Sequence, residues 1–340
     1  MKNILIIGLG SIGQRHYRNL KNINNKFKFY AIVTKNNSPE LNKRNIAVNK
    51  TINFNKLNII KTSINNLMNL KIDLAIISNP TSKHIDAAIK IAKLKIPLYI
   101  EKPISSNLKN VDKLRKLLIK NKVLCFSGYQ QRENPSIQYI KNLINSGKYG
   151  KIIKVIIKNQ EFLPFQHKYE NYKNGYAARQ DLGGGVTLCL SHEVDYANLL
   201  FGKQIDLLSI GGKKSNLKIN VDDTSDFIIN YELNKKRFPV YFFLDFIKKK
   251  TEQSCEILFE KADLKLNLRK NLIKINTKKN EKIIKFTKDR DYLFMKRLKR
   301  FISLIKKKSF FIEDFDSAIK VLKICLKIKQ RFYKNNKSLI

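Results

Sequence analysis

The 340-residue sequence has no apolar run long enough to cross a bilayer, so a helical membrane span is excluded. Lys2 followed by Ile4-Leu5-Ile6-Ile7 briefly imitates a targeting signal, but the run is too short for a signal-peptide core and ends at a glycine. A cytoplasmic location is therefore expected. Cysteine is sparse: Cys125, Cys189, Cys255 and Cys325 lie far apart without a C-x-x-C pair. That pattern argues against a disulfide framework and for reduced, buried thiols. His16, His84, His167 and His192 lack metal-ligand spacing, and no metal is expected. Acidic residues are also scarce, 27 against 68 Lys and Arg, for a net charge of +41. A nucleic-acid binder concentrates its basic residues on one face or tail. Here lysines run throughout, denser only from Lys248 onward, so most of the excess reads as solvated surface. Nucleic acid is an unlikely partner, though a positive field draws anionic substrates and cofactors.

What is present begins with Ile4–Ile7, a short β-branched run suited to a strand buried on both faces. It leads into Gly8-x-Gly10-x-x-Gly13 and then a helix carrying Tyr17 and Leu20. Gly8 permits the tight turn, Gly10 lets a pyrophosphate approach, and Gly13 lets helix and strand pack closely. Ser11, Ile12 and Gly13 would offer their N–H groups at the positive end of the helix. A second strand, Phe27–Val33, is followed by Thr34-Lys35 with no acidic residue for a ribose 2′-hydroxyl. NAD or NADP thus remains open, with a slight lean to NADP.

Further alternation follows: a weaker α/β unit over Leu41–Leu70, a strand Asp73–Ser78, a helix through about Lys93, a strand Ile96–Ile100, a helix Asn107–Lys120 and a strand Val123–Phe126. This order implies a doubly wound parallel sheet of the Rossmann type over residues 1–125. Residues 126–340 differ. A helix from Asn134-Pro135 and a strand from Ile152 precede a long loop, and from Ile205 to Lys285 strand follows strand. An α+β domain with a large, mostly antiparallel open sheet is expected, closed by two helices.

The strand ends carry the candidate chemistry, since ligands of open α/β folds bind there. Asn79-Pro80 and His84 follow one strand, and Glu101-Lys102-Pro103 ends another. A lysine at 102 can reach a substrate oxygen beside a nicotinamide, and Pro103 restricts its backbone. Gln131 and Arg132 follow the last strand of the first domain. Arg179 and Asp181 precede Gly183-Gly184-Gly185, which opens an apolar helix bearing His192, Glu193 and Asp195. Arginine suits bidentate binding of an oxyanion.

Gly8-x-Gly10-x-x-Gly13, Glu101-Lys102-Pro103 and the glycine-rich loop before His192-x-x-Asp195 resemble, in order and spacing, the Gfo/Idh/MocA oxidoreductases over essentially the whole chain. Gly-Leu-Gly-Ser-Ile-Gly-Gln-Arg-His and Tyr-Ala-Ala-Arg-x-Asp-Leu-Gly-Gly-Gly-Val are most similar to members from bacterial surface-polysaccharide and nonulosonic-acid gene clusters. The resemblance implies NAD(P)-dependent hydride transfer at a hydroxyl or keto carbon of a sugar, cyclitol or sugar nucleotide. It implies Lys102 and His192 as catalytic residues, the first polarising the reacting oxygen and the second serving as acid and base. Gly8, Gly10, Ser11, Ile12, Gly13, Thr34, Lys35, Asn79, Pro80, His84, Glu101 and Lys102 would line the cofactor. Lys102, Gln131, Arg132, Arg179, Asp181, His192 and Asp195 would line the substrate. A homodimer or homotetramer through the C-terminal sheet is implied as well. One departure stands out: many relatives place an aspartate a turn before this histidine, where this chain has Leu188 and Cys189. A proton relay would then run through Asp195 or Glu193. A catalytically weak dinucleotide-binding sensor or scaffold of the same fold is the alternative.

Overall fold

Ile4, Leu5 and Ile6 are essentially inaccessible to solvent, as a strand covered on both faces requires. They form β1 (Asn3–Ile7), and the chain then runs through α1 (Ser11–Ile23), β2 (Lys28–Ile32), β3 (Glu40–Leu41), β4 (Ala47–Asn49), α2 (Phe54–Leu57) and β5 (Ile59–Lys61). After these come β6 (Leu74–Ile77), α3 (His84–Lys93), β7 (Leu98–Ile100), α4 (Val111–Lys120) and β8 (Cys125–Ser127). The computed structural model of the chain describes residues 1–33, 38–286 and 290–335. Six strands form one parallel sheet in the order β5-β2-β1-β6-β7-β8. The order reverses between β1 and β6, which opens a crevice beyond their carboxyl ends.

The expected α/β unit over Leu41–Leu70 is replaced by something smaller. A β3–β4 hairpin, the single-turn α2 and a 3₁₀ turn at Ile64–Asn69 stand where a full crossover helix would lie. The segment is rich in Asn and Lys, and Asn45 and Asn58 adopt left-handed backbone that breaks a helix. The Gln14 side chain pins the hairpin by donating to the Pro39 carbonyl at 2.9 Å and accepting from the Leu41 N–H at 2.8 Å.

Beyond β8 the chain forms α5 (Pro135–Asn145), β9 (Ile152–Phe162), α6 (Val186–Cys189), α7 (His192–Phe201), β10 (Lys203–Gly212), β11 (Thr224–Leu233) and β12 (Lys236–Asp245). It continues through β13 (Ile247–Phe259), β14 (Asp263–Asn267), β15 (Leu272–Asn276), β16 (Glu281–Lys285), α8 (Arg290–Lys306) and α9 (Glu313–Asn335). The eight strands are ordered β10-β11-β12-β9-β13-β14-β15-β16, antiparallel except where β12 meets β9. Alternation sends Val155, Ile157, Ile229, Val240 and Phe242 inward against α6, α7 and α9. The opposite face carries Leu208, Ile228, Tyr241 and Ile156 in register across four strands.

Helix α8 crosses back to the first sheet, where Leu298, Phe301 and Ile302 share a core with Ile4, Ile6, Tyr99 and Phe126. Charge knits this return. The Asp314 carboxylate accepts from the Ser127 N–H and hydroxyl, both at 2.8 Å, from Arg132 at 3.1 Å, and from the buried Arg297. Arg297 also lies 4.5 Å over the Phe126 ring and 3.5 Å from Glu133. Among the described residues no helix is long and apolar enough to cross a membrane.

Candidate active site

The glycine turn sits in the crevice between β1 and β6. Gly8 has φ +92°, and a side chain there would strike the Asn79 backbone at 2.6 Å. A Cβ on Gly13 would come within 2.0 Å of the Gly8 carbonyl, so only glycine lets α1 lie this close to the turn. Gly10 is different: nothing stands within 4 Å of the place its Cβ would occupy. The space above it is bordered by the start of α1, where Gly10 provides no side-chain cap to the free N–H groups. The Asn79 Oδ1 atom is buried beside this turn without a hydrogen-bond partner among the described residues. An open cradle, bare helix N–H groups and an orphaned acceptor suit a dinucleotide. Gly8, Gly10, Ser11, Ile12, Gly13, Asn79 and Pro80 surround it, while Thr34 and Lys35 lie outside the described residues. Across the turn, the Tyr169 hydroxyl bonds to the Ser11 side chain, so the 163–175 loop reaches the first domain.

Lys102 follows β7 and is joined to Pro103 by a cis peptide. Its ammonium donates to the Cys189 carbonyl at 2.6 Å. Cys189 ends α6, one turn before His192 opens α7, so this contact brings the two motifs together. The α6 turn is itself held from below. Asp222 accepts from the Val186 N–H through its carbonyl and from the Thr187 N–H and hydroxyl through its carboxylate, and Lys329 pairs with it at 2.7 Å. The His192 ring packs edge-on to Tyr129 at 5.6 Å, and its Nδ1 has no partner among the described residues. Burial, and then the Lys102, Arg290 and Arg132 cations, push its pKa well below the ordinary imidazole value. His192 is therefore neutral at pH 7 and able to accept a proton.

The remaining candidates divide. The Glu101 carboxylate accepts from the Lys102 N–H and pairs at 2.6 Å with His16, which holds its pKa down against burial. The buried His84 ring spans two turns, its Nδ1 2.9 Å from the Pro103 carbonyl and its Nε2 2.8 Å from the Asn79 carbonyl. It thus ties the ends of β6 and β7 together. Arg132 and Asp195, expected at the substrate, are partners of each other: three contacts of 2.5–3.1 Å join them in the joint with Asp314. Gln131 accepts from Asn134 at 2.8 Å. Arg179 and Asp181 pair with each other on the exposed loop, which rests on the Thr81–Lys83 turn.

The relay expected through Asp195 or Glu193 meets a different arrangement. Asp195 is closed off by Arg132. Glu193 points to the second sheet, where its Oε1 accepts from Asn159 and Gln253, each at 2.9 Å. Burial raises its pKa to about 7. Where an aspartate would stand, the Cys189 thiol is held near the Tyr176 hydroxyl, and burial pushes it up to about 11. Tyr176, Glu161 at the end of β9, and Arg290 at the start of α8 join the site from three further elements. Tyr176 opens the Tyr-Ala-Ala-Arg motif and could have been read from it. Glu161 and Arg290 carry no sequence signal, being one acid at a strand end and one base among many.

A parallel sheet with a glycine turn at its switch point, faced by a lysine and a histidine from separate elements, defines a dinucleotide-fold protein with a second, sheet-bearing domain. The chain belongs to the Gfo/Idh/MocA oxidoreductases: residues 2–129 match the oxidoreductase family with NAD-binding Rossmann fold, and residues 137–265 match its C-terminal domain. A myo-inositol 2-dehydrogenase of Thermotoga maritima is 26% identical over 204 residues, covering 59% of this chain and 55% of that one. The match thus spans about half of that relative's length. Two solved structures share the fold over nearly all of both chains. The myo-inositol 2-dehydrogenase of Lactobacillus plantarum has TM-score 0.76 at 18% identity, covering 98% of each chain. An inositol dehydrogenase homologue of Azotobacter vinelandii, solved with NAD+, has TM-score 0.79 at 12% identity, covering 98% of this chain and 95% of its own.

Proposed function

We propose that the chain is a cytoplasmic NAD(P)-dependent oxidoreductase that moves a hydride between the nicotinamide and a hydroxyl or keto carbon of a sugar, cyclitol or sugar nucleotide. The observation that carries this reading is the Lys102 ammonium fixed on the Cys189 carbonyl, one turn from a neutral His192. Bound at the glycine turn, the dinucleotide supplies or accepts the hydride. Gly8, Gly10, Ser11, Ile12, Gly13, Asn79, Pro80 and Glu101 hold it. Lys102 binds the reacting oxygen and stabilises the charge that develops there. His192 takes the hydroxyl proton in oxidation and returns it in reduction. The absence of an acid at Thr34-Lys35 supports NADP over NAD, and the in-register apolar row on the outer sheet face supports a homodimer or homotetramer.

A second reading, a sensor or scaffold that binds the dinucleotide without turnover, is favoured by Leu188 and Cys189 standing where relatives have a carboxylate. Lys102→Ala and His192→Ala, assayed on a panel of sugars, cyclitols and nucleotide sugars, separate the two. Loss of turnover of about 100-fold or more, with unchanged NADH or NADPH affinity, is expected for the enzyme. A wild type that binds the cofactor yet oxidises nothing in the panel supports the sensor, and variants with wild-type rates contradict the site.

A further inference from the structure

Pairing off the charges around Lys102 leaves an imbalance. Arg15 is matched by Asp291 at 2.5 Å, His16 by Glu101 at 2.6 Å, and Arg132 by Asp195 and Asp314. Arg179 is matched by Asp181 on the exposed loop. Lys102 rests on a carbonyl only. Arg290 and Arg269 form no ion pair among the described residues, and both are exposed. Glu161 is the one acid facing them, and burial raises its pKa despite the cations around it. Arg290 is also the better placed of the two arginines. Its guanidinium lies 5.8 Å over the Phe294 ring, and that ring packs at 5.5 Å against His16, the partner of Glu101. A stack on Phe294 fixes the plane of the guanidinium while leaving its N–H fork free. Arg290 and His192 feel each other's charge, so the fork stands on the side of the reacting groups.

Resting on the reading of the site as a carbohydrate oxidoreductase, we infer that Arg290 selects the substrate, and that the sugar it admits carries an anionic oxygen group, a carboxylate or a phosphate. A free fork over an aromatic ring binds two oxygens of either group at once. Lys102 would then be left for the reacting hydroxyl, and the exposed Arg179–Asp181 pair would have no part in recognition. The excess of cations costs a neutral sugar its own hydration with nothing to offset it, so discrimination works in both directions.

The test uses the full chain saturated with NADH or NADPH and matched probes: glucose against glucuronate, galactose against galacturonate, and glucose against glucose 6-phosphate. Binding is followed by calorimetry, which does not depend on turnover. At least one acid or phosphate is expected to bind about 10-fold or more tighter than its neutral partner, with an affinity that falls as salt rises. The uronate and phosphate arms tell the two anions apart. Arg290→Gln should remove that preference and leave neutral sugars and cofactor affinity unchanged, and Arg290→Lys should restore only part of it. Equal binding of charged and neutral partners overturns the inference. So does no binding by any probe, or an R290Q variant that weakens NADH instead. Failure of the wild type to bind either nucleotide sinks the oxidoreductase reading itself.

Discussion

The proton states of single residues follow from what touches them. His192 is buried beside cations, so it should stay unprotonated through pH 6.5, as its C2–H resonance would show in an NMR titration. Lys102→Met should raise its pKa, because a repelling charge is gone while the burial remains. The lowered value also means that the unfolded chain takes up this proton first, so the site loses stability as pH falls below 6.5. Glu193 runs the other way. Its pKa of about 7 lies above that of a free carboxyl, so the native state holds the extra proton and stability falls as pH rises from about 4.5 to 7. Glu193→Gln keeps both hydrogen bonds to Oε1, and should be more stable than the wild type at pH 8 by about 2 kcal/mol in urea unfolding, with no difference at pH 4. An equal gap at both pH values would refute this. Lys102 and His192 were legible because strand-end position and motif order singled them out. Arg132 and Asp195 looked equally suited to a ligand, but sequence spacing does not reveal that two charges 63 residues apart will pair.

At the level of elements, the opening turn separates two jobs that one glycine motif merges. Gly13→Ala places a methyl group 2.0 Å from the Gly8 carbonyl and should lower the melting temperature markedly. Gly10→Ala meets nothing in the fold, so its melting temperature should stay within a few degrees of wild type while dinucleotide affinity falls at least about 10-fold. A G10A variant that binds normally would show that the phosphates lie elsewhere. Most elements could be read from periodicity, since Ile4–Ile7 and the alternating strands from Ile205 onward bury one or both faces cleanly. The failure over Leu41–Leu70 has a physical cause: the hairpin there is held by the Gln14 side chain, a distant contact with no local trace. The reach of α8 back to the first sheet was equally hidden, because an amphipathic helix does not say which core it covers.

For the whole molecule, the joint around Asp314 fixes the two sheets relative to each other through β8, α8 and α9. Asp314→Asn leaves Arg297 and Arg132 short of a buried counter-charge and should cost about 3 kcal/mol in chemical denaturation. A cost within error of zero would remove the joint from the stability argument. The outer sheet face makes a separate claim. Leu208 and Ile210 are 67% and 66% exposed, and replacing both by Glu should turn an oligomer into a monomer by light scattering without changing the melting temperature. A wild type that is already monomeric would leave that face without a partner. The +41 charge is spread over the surface, while the scarce acids are committed to pairs such as Asp195–Arg132 and Asp314–Arg297. The chain has no tryptophan, so NADH fluorescence can be read with little protein background. Titrating NADH and NADPH into the wild type, G10A and the double variant K102A/H192A tests the core proposal. Micromolar binding by the wild type and the double variant, lost only in G10A, is the expected result. Wild-type protein that leaves the emission of both nucleotides unchanged, or a G10A titration that overlays it, would contradict a nicotinamide dinucleotide held at the glycine turn.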